Sequence, residues 1–280
     1  MHASEPGPAW QATTVSERYT HGHHESVLRS HQWRTAANSA GYLLGDLRPG
    51  LHVLDVGCGP GTITLDLARR VPGGRVVGID QADAALAAAR SAAEHAGVDN
   101  VSFEPGDAYD LAFDDRTFDV VHAHQVLQHL TDPVAALREM RRVCRRDGVV
   151  AVRDSDYPAM AWHPAEPALD RWLALYCLVA RSNGGEPAAG RHLTSWARAA
   201  GFRRVTSSAS AWCFAVETDR RWWGETWAER VVSSALAERA VEIGAATRDE
   251  LADIARGWRR WVADPDGWFG VLHSEVLCRP

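Results

Sequence analysis

No apolar run in this chain approaches the ~20 residues that a membrane-spanning helix needs. The opening "MHASEPGPAW" lacks the charged-then-apolar pattern of a signal peptide. A membrane is therefore not an expected partner, and the expected location is cytoplasmic. Cysteine is scarce: five residues, at 58, 144, 177, 213 and 278, scattered, odd in number and without a CxxC pair. That speaks against a disulfide scaffold or a zinc ribbon and fits free thiols in a reducing compartment. Lysine is absent, all 30 residues of the Lys and Arg total being arginine, and the formal charge is −6. A nucleic-acid or anionic-membrane surface is usually basic, so neither partner is expected. Fixed-period repeats and low-complexity tracts are also missing.

What is present is a globular chain of 280 residues with 46% apolar side chains, enough for a substantial core. From about residue 51 short strand-like runs alternate with amphipathic helical ones: VLDV, TLDLARRV, RVVGID, ADAALAAARSAAEHAG, VSFEPGD, FDVVHAH, PVAALREMRRVC and GVVAVRD. Such alternation predicts βαβ units and a parallel sheet covered on both faces. Asp83 is the expected N-cap of the alanine-rich helix and Gly97 its C-cap. Asp132-Pro133 supplies a cap and a first-turn proline to the next helix. After Asp154 the alternation breaks. A loop–helix–loop is expected over 155–190, a short helix at 191–200, a strand in "FRRVTSSASAWCFAV", helices at about 219–241 and 247–262, and a closing strand in "GWFGVLHSEVLC". The expected fold class is α/β: a seven-stranded, mostly parallel Rossmann-like sheet whose last strand inserts antiparallel, with an N-terminal helical cap and helical insertions.

"HVLDVGCGPGTIT" places Gly57, Gly59 and Gly61 where a strand hands over to a helix. Glycine tolerates positive φ and lets a ligand approach the main chain. The carboxyl end of the first parallel strand is where such folds bind cofactors. The turn lacks the Lys-Ser/Thr of a Walker loop, and Thr62 stands where a dinucleotide fingerprint wants Gly or Ala. Asp55, ending the strand, would repel a pyrophosphate and welcome an ammonium or sulfonium. Asp80 closes the next strand, 21 residues past Gly59, where a carboxylate can accept both ribose hydroxyls. In "EPGDAYD", Asp107 can accept from an adenine amino group while the Ala108 amide faces the ring. Together these describe an adenosine carrying a positive tail.

"VLDVGCGPGTIT", "VVGID", "PGDAYDLAF" and "FDVVHAHQVLQHLTDP" resemble the successive motifs of class I S-adenosylmethionine-dependent methyltransferases. The branch they most resemble is the ubiquinone/menaquinone-biosynthesis type that methylates ring carbons. The resemblance covers residues 48–154. It implies that Asp55, Gly57, Gly59 and Gly61 surround the methionine part. Asp80 and Gln81 would hold the ribose, Gly106, Asp107 and Ala108 the adenine, and His124 and Gln125 the region of the sulfur. S-adenosyl-L-homocysteine is the implied product. "YTHGHHESVLRSHQWR" resembles the N-terminal cap of actinobacterial enzymes of this branch, some of which methylate C3 of an indole. The expected organisation is an N-terminal cap at 1–48, an S-adenosylmethionine-binding core at 49–154, and a lid, helical insertion and last two strands of the same sheet at 155–280.

Methyl transfer from a sulfonium needs mostly alignment, which can supply ~7–11 kcal/mol. A ring carbon is a weak nucleophile, so an acceptor for an indole N–H or phenol O–H helps it attack. Tyr19 and His24 are the catalytic candidates. His23, Asp154 and Asn183 are substrate-side candidates, with Arg191 as a further polar contact. Asp154 reads equally well as a cap. Arg34 can meet the cofactor carboxylate or make a surface ion pair. "HGHH" has no Asp/Cys partner at ligand spacing, so no metal is expected. His122 reads as packing and His129 as a cap. Ten of the twelve tryptophans lie in the second half. Most should be core, with one or two free to line a pocket for a flat aromatic substrate. "NGGEPAAGRHL" gives the segment 155–190 the glycines of a lid. A homodimer stays open. Carbon methylation of an indole is the leading reading, with oxygen or nitrogen methylation of a small metabolite or quinol beside it. A nicotinamide oxidoreductase is disfavoured by Thr62 and Asp55. A silent binding module is disfavoured by the full motif set.

Overall fold

The computed structural model describes Thr20 and residues 33–280. Tyr19, His23 and His24 lie outside the described residues. The first elements seen are a single turn, α1 (Ala36–Ser39), and a 3-10 helix at Gly41–Asp46. Thr35 opens α1 with a capping box, its hydroxyl accepting from Asn38 N and the Asn38 side chain from Thr35 N. The alternation then begins: β1 (His52–Val56), α2 (Thr62–Arg70), β2 (Arg75–Asp80), α3 (Asp83–Ala96), β3 (Val101–Pro105), β4 (Phe118–His124), α4 (Pro133–Val143) and β5 (Cys144–Ser155). The chain continues through β6 (Ala161–His163), α5 (Pro167–Ser182), α6 (Ala189–Ala199), β7 (Arg204–Phe214), α7 (Glu217–Ser233), α8 (Ala235–Glu242), α9 (Arg248–Ala263) and β8 (Trp268–Arg279).

One sheet of eight strands results, in the order β3-β2-β1-β4-β5-β8, with β7 on the far edge of β8. β1 to β5 are mutually parallel, and β8 runs antiparallel to both β5 and β7. Seven strands were expected. The eighth is β6, three residues that rejoin the edge of β8 beyond β5 after a 3-10 turn at Tyr157–Ala159. Alternation along each buried strand sorts its side chains between two faces. Leu54, Val121 and Val150 pack with Leu137, Met140, Leu193 and Ala197 on the α4/α6 face. Val53, Val120 and Val149 pack with Leu43, Ile63 and Leu67 on the α1/α2 face. By the same alternation Asp55, His122, His124, Arg153 and Glu275 belong to the α1/α2 face, near the carboxyl ends of the parallel strands. That polar row defines the site below.

Helix boundaries follow local chemistry. Asp132 caps α4 by accepting from Ala135 N at 2.9 Å, with Pro133 in the first turn. Gly97 closes α3 at φ 60°. Asp83 is not the N-cap of α3. Ala82 holds that position, and Asp83 is the first helical residue, where its charge favours the helix N-terminus. The single helix expected at 219–241 is two, because Ser233 and Ser234 donate back to the carbonyls of Glu229 and Arg230 and the chain turns there. Trp172, Trp227, Trp258 and Trp261 are fully buried in a core between α5, α7, α9 and the sheet. Trp172 meets Trp227 and Trp258 edge-on at 4.5 and 4.9 Å.

Candidate active site

The glycine turn is strapped to the end of β2. The amides of Gly57 and Cys58 both donate to Ile79 O, at 2.8 and 2.9 Å, and Gly59 N donates to Asp80 Oδ2 at 2.9 Å. Gly57, Gly59 and Gly61 all have positive φ, 69°, 54° and 79°. Two of them also have no room for a side chain. A Cβ on Gly57 would lie 2.5 Å from Val126 Cγ2, and one on Gly61 would lie 2.9 Å from both Ala89 Cβ and Phe103 Cζ. Conformation and close packing by the protein itself therefore already require glycine at both.

Asp80 binds this turn as a clamp. Its Oδ1 accepts from Ala82 N at 2.9 Å, and its main-chain oxygen accepts from Gly106 N at 3.2 Å. The turns after β1, β2 and β3 thus meet at one residue, the first two at its carboxylate and the third at its carbonyl, and each carboxylate oxygen retains a further lone pair. Gln81 and Asp107 are exposed beside it and Ala108 is buried. Asp107 Oδ1 accepts from Tyr109 N at 2.9 Å. Asp55 is buried, with both carboxylate oxygens engaged: Oδ2 by the Thr64 hydroxyl at 2.6 Å, Oδ1 by His122 Nδ1 at 2.7 Å. His122 therefore does more than pack. It fixes the orientation of Asp55, and its Nε2 has no partner among the described residues.

At the end of β4 the chain kinks sharply. Gln125 adopts φ 54°, unusual for a residue with a side chain, and its amide is held by Arg153 O at 2.7 Å. Its side chain joins two others. Oε1 accepts from Arg34 Nη2 at 2.5 Å, and Nε2 lies 2.9 Å from His273 Nε2. Arginine can only donate, so the amide oxygen must face Arg34 and the amide NH2 must face His273. His273 Nε2 is then an acceptor, and its ring is neutral with the proton on Nδ1. Burial, with the positive charges of Arg153 and Arg34, holds His273 well below the ordinary histidine range. His124, also buried and with neither ring nitrogen bonded to a described residue, is held low by burial first and then by Arg153, Arg34, His273 and His122. Both rings flank Trp212, His273 at 4.4 Å and His124 at 5.7 Å between centroids.

Trp212 forms one wall of a cleft that also includes Gln125, Tyr157, Trp222, Trp223 and Trp227. Arg34 borders it, with its guanidinium 5.8 Å from the Trp212 ring. The remaining expected site residues sit farther back. Asp154 is fully buried, and its Oδ1 accepts from Gln128 N at 3.1 Å, as a cap does. Burial pushes its carboxyl up to about 8 against the pull of the Gln128 and Leu127 amides and Arg153. Asn183 is buried at the end of α5 and donates to the Thr20 hydroxyl at 3.3 Å. Arg191 makes a bidentate pair with Asp156, at 2.6 and 2.7 Å. Among the described residues no group of three or more His, Cys, Asp or Glu side chains is arranged to hold a metal. None of their helices is long and apolar enough to cross a membrane. The residues sequence reasoning passed over are Trp212, His273 and Arg153. Trp212 had a signal in the alternation of its strand, whereas the other two depend on a strand pairing that spacing does not reveal.

A parallel 3-2-1-4-5 order with an antiparallel strand beyond it, a glycine turn after β1 and an acid closing β2 define a Rossmann-like methyltransferase fold. The chain belongs to the methyltransferase-domain family, whose pattern matches residues 47–205. It is 35% identical over 267 residues to an uncharacterized methyltransferase of Schizosaccharomyces pombe, covering 92% of this chain and 95% of that one. A shorter match, 35% over 116 residues, is to the demethylmenaquinone methyltransferase of Bacillus cytotoxicus, covering 41% of this chain and 49% of that enzyme. Among solved structures it resembles phosphoethanolamine N-methyltransferase 2 of Haemonchus contortus, in complex with phosphomonomethylethanolamine and S-adenosylhomocysteine. That likeness has a TM-score of 0.53 at 18% identity, covering 85% of this chain and 50% of that one. The chain is a methyltransferase.

Proposed function

We propose that this methyltransferase takes its methyl group from S-adenosylmethionine and places it on a ring carbon of a small, flat aromatic molecule, with C3 of an indole as the favoured acceptor. The observation that carries this reading is the cleft walled by Trp212, Trp222, Trp223, Trp227 and Tyr157 beside Gln125. Indole faces bind a flat ring and tolerate a nearby cation. The match of part of the chain to a demethylmenaquinone methyltransferase supports a flat ring acceptor.

The residues present fit the cofactor. Asp80 clamps the three turns and has lone pairs left for ribose hydroxyls, Gly106 to Ala108 lie where an adenine edge would rest, and the glycine turn keeps side chains out of the approach. Bound there, S-adenosylmethionine supplies a methyl group already activated by positive sulfur. What the chain adds is alignment and charge control. Asp55, fixed by Thr64 and His122, keeps its carboxyl group behind the glycine turn. His124 and His273, held neutral, add no proton charge to compete with a sulfonium. The tryptophan walls exclude water and hold the acceptor plane. Tyr19 and His24, the candidates for taking the acceptor's proton, lie outside the described residues.

The test is incubation with isotopically labelled S-adenosylmethionine and a panel of indoles, tryptophan cyclic dipeptides, quinols and phenols, read by mass gain and then by NMR of the product. A new methyl on carbon supports the proposal. A methyl on oxygen or nitrogen replaces the carbon part of it. Absence of S-adenosylhomocysteine binding by calorimetry would remove the cofactor assignment altogether.

A further inference from the structure

A guanidinium and a carboxylate are buried together in the middle of the sheet, where a pair of apolar side chains would serve stability as well. Arg153 on β5 and Glu275 on β8 face each other in register, with side chains 1% and 6% exposed and Nε 3.2 Å from Oε1. Two serines on the neighbouring strand complete the arrangement. Ser210 donates to Glu275 Oε1 at 2.5 Å and Ser208 to Oε2 at 2.7 Å. Arg153 Nη2 also reaches Ser210, at 3.1 Å. A buried ion pair is weak evidence for stability, because desolvation of both charges opposes their attraction. Its placement is informative. The Arg153 guanidinium lies 5.0 Å from the centre of the Trp212 ring, the cleft wall. The same residue's carbonyl holds the amide of the kinked Gln125 at 2.7 Å.

We infer that Arg153, locked by Glu275, is a positioning residue for the acceptor cleft: it fixes the Trp212 wall and the kink at Gln125, and its buried charge lies against the ring that His124 and His273 flank. The role in the cleft rests on the aromatic-acceptor reading above, while the role toward the histidines does not. The charged and titratable groups around His124 are Arg153 on β5, Arg34 ahead of α1, His273 on β8 and His122 on β4. Around His273 they are Arg153 and Arg34. Around Arg153 itself they are Glu275, Tyr42 and Asp154. Removing Arg153 leaves Arg34 as the one cation in these sets. His273 would then take a proton at higher pH, and a protonated His273 no longer accepts from Gln125.

The experiment compares R153M, E275Q, R153K and the double variant R153M/E275L in the full chain. The first readout is histidine-ring NMR titration, which needs neither methyl donor nor acceptor. R153M should move the titration of His124 and His273 upward, E275Q should not, and R153K, which keeps the charge, should resemble the parent. A merely structural ion pair predicts that R153M and E275Q behave alike, and that result overturns the inference. The second readout is kinetics with an acceptor from the panel above. R153M/E275L removes both buried charges, so its melting temperature should stay near the parent's. Its kcat/KM should still fall, by up to about 100-fold, the loss that a displacement of about 1 Å can cause. Retention of parental kcat and KM by a folded R153M/E275L overturns the positioning role. A failure of the acceptor assignment would instead show as no turnover by the parent, with the histidine titrations unchanged in meaning.

Discussion

Replacing Gly61 by alanine isolates two terms that the structure separates. The residue sits at φ 79°, where an L-residue is strained by roughly 1–2 kcal/mol. Its new Cβ would stand 2.9 Å from Ala89 Cβ and from Phe103 Cζ. Overpacking of that kind costs about 1–3 kcal/mol. Alanine also narrows the unfolded ensemble, which offsets about 0.4–1 kcal/mol. The expected net loss is about 1–5 kcal/mol, a fall in melting temperature of roughly 2–20 °C for a domain near this size. Gly73 is the control: φ is 74° and a Cβ there meets nothing within 4 Å. G73A should lose only the conformational part. Adding F103L to G61A should recover part of the packing loss, since a ring atom is one of the two obstacles. Thermal unfolding by far-UV circular dichroism reads all three. Equal losses for G61A and G73A, or no recovery with F103L, would refute the close-packing argument at this turn.

Asp154 predicts a pH dependence. Its folded pKa is raised to about 8 from 3.8. Below 3.8 the carboxyl is neutral in both states, and its contribution is complete. Between 3.8 and about 8 the folded chain keeps a proton that the unfolded chain has lost, so this contribution declines as pH rises, then levels off. D154N should flatten that part of the curve of melting temperature against pH, and an unchanged slope would exclude Asp154 as its source. Trp172, fully buried against Trp227 and Trp258, should cost about 3–5 kcal/mol when replaced by alanine, measured by urea unfolding. D80N should weaken S-adenosylhomocysteine binding by about 10-fold or more, on a loss of 1.5–3 kcal/mol per hydrogen bond to a charged group. Calorimetry finding parental affinity would contradict the clamp role of Asp80.

The first half of the fold was legible because its signals are local. β1 to β5 are short apolar runs, Asp132-Pro133 and Gly97 mark helix ends, and the glycine turn stands out by composition alone. The site became less legible as it came to depend on pairing. His122 looked like packing because its spacing says only which face it shares. Its bond to Asp55 needs β4 beside β1. Arg153 and Glu275 are 122 residues apart in sequence and meet only because β8 inserts next to β5. The break between α7 and α8 was hidden in serines that serve equally well on a helix surface. β6 was missed because three residues carry no periodicity. More tryptophans reach the cleft than the one or two expected: Trp212, Trp222, Trp223 and Trp227 line it, while Trp172, Trp258 and Trp261 are buried in the helical core.

β8 has an implication for how the molecule is made. Its twelve residues bridge β5 and β7, yet they are synthesised after both. Until they leave the ribosome, Arg153 has no carboxylate, His273 is not yet opposite Gln125, and two strand edges stand open to unwanted pairing. The nascent chain can thus assemble β1 to β5 and the glycine turn early but must wait to complete the cleft proposed for the acceptor. Stalling translation just before residue 268 should therefore yield a chain that behaves as a client of chaperones rather than as a smaller enzyme.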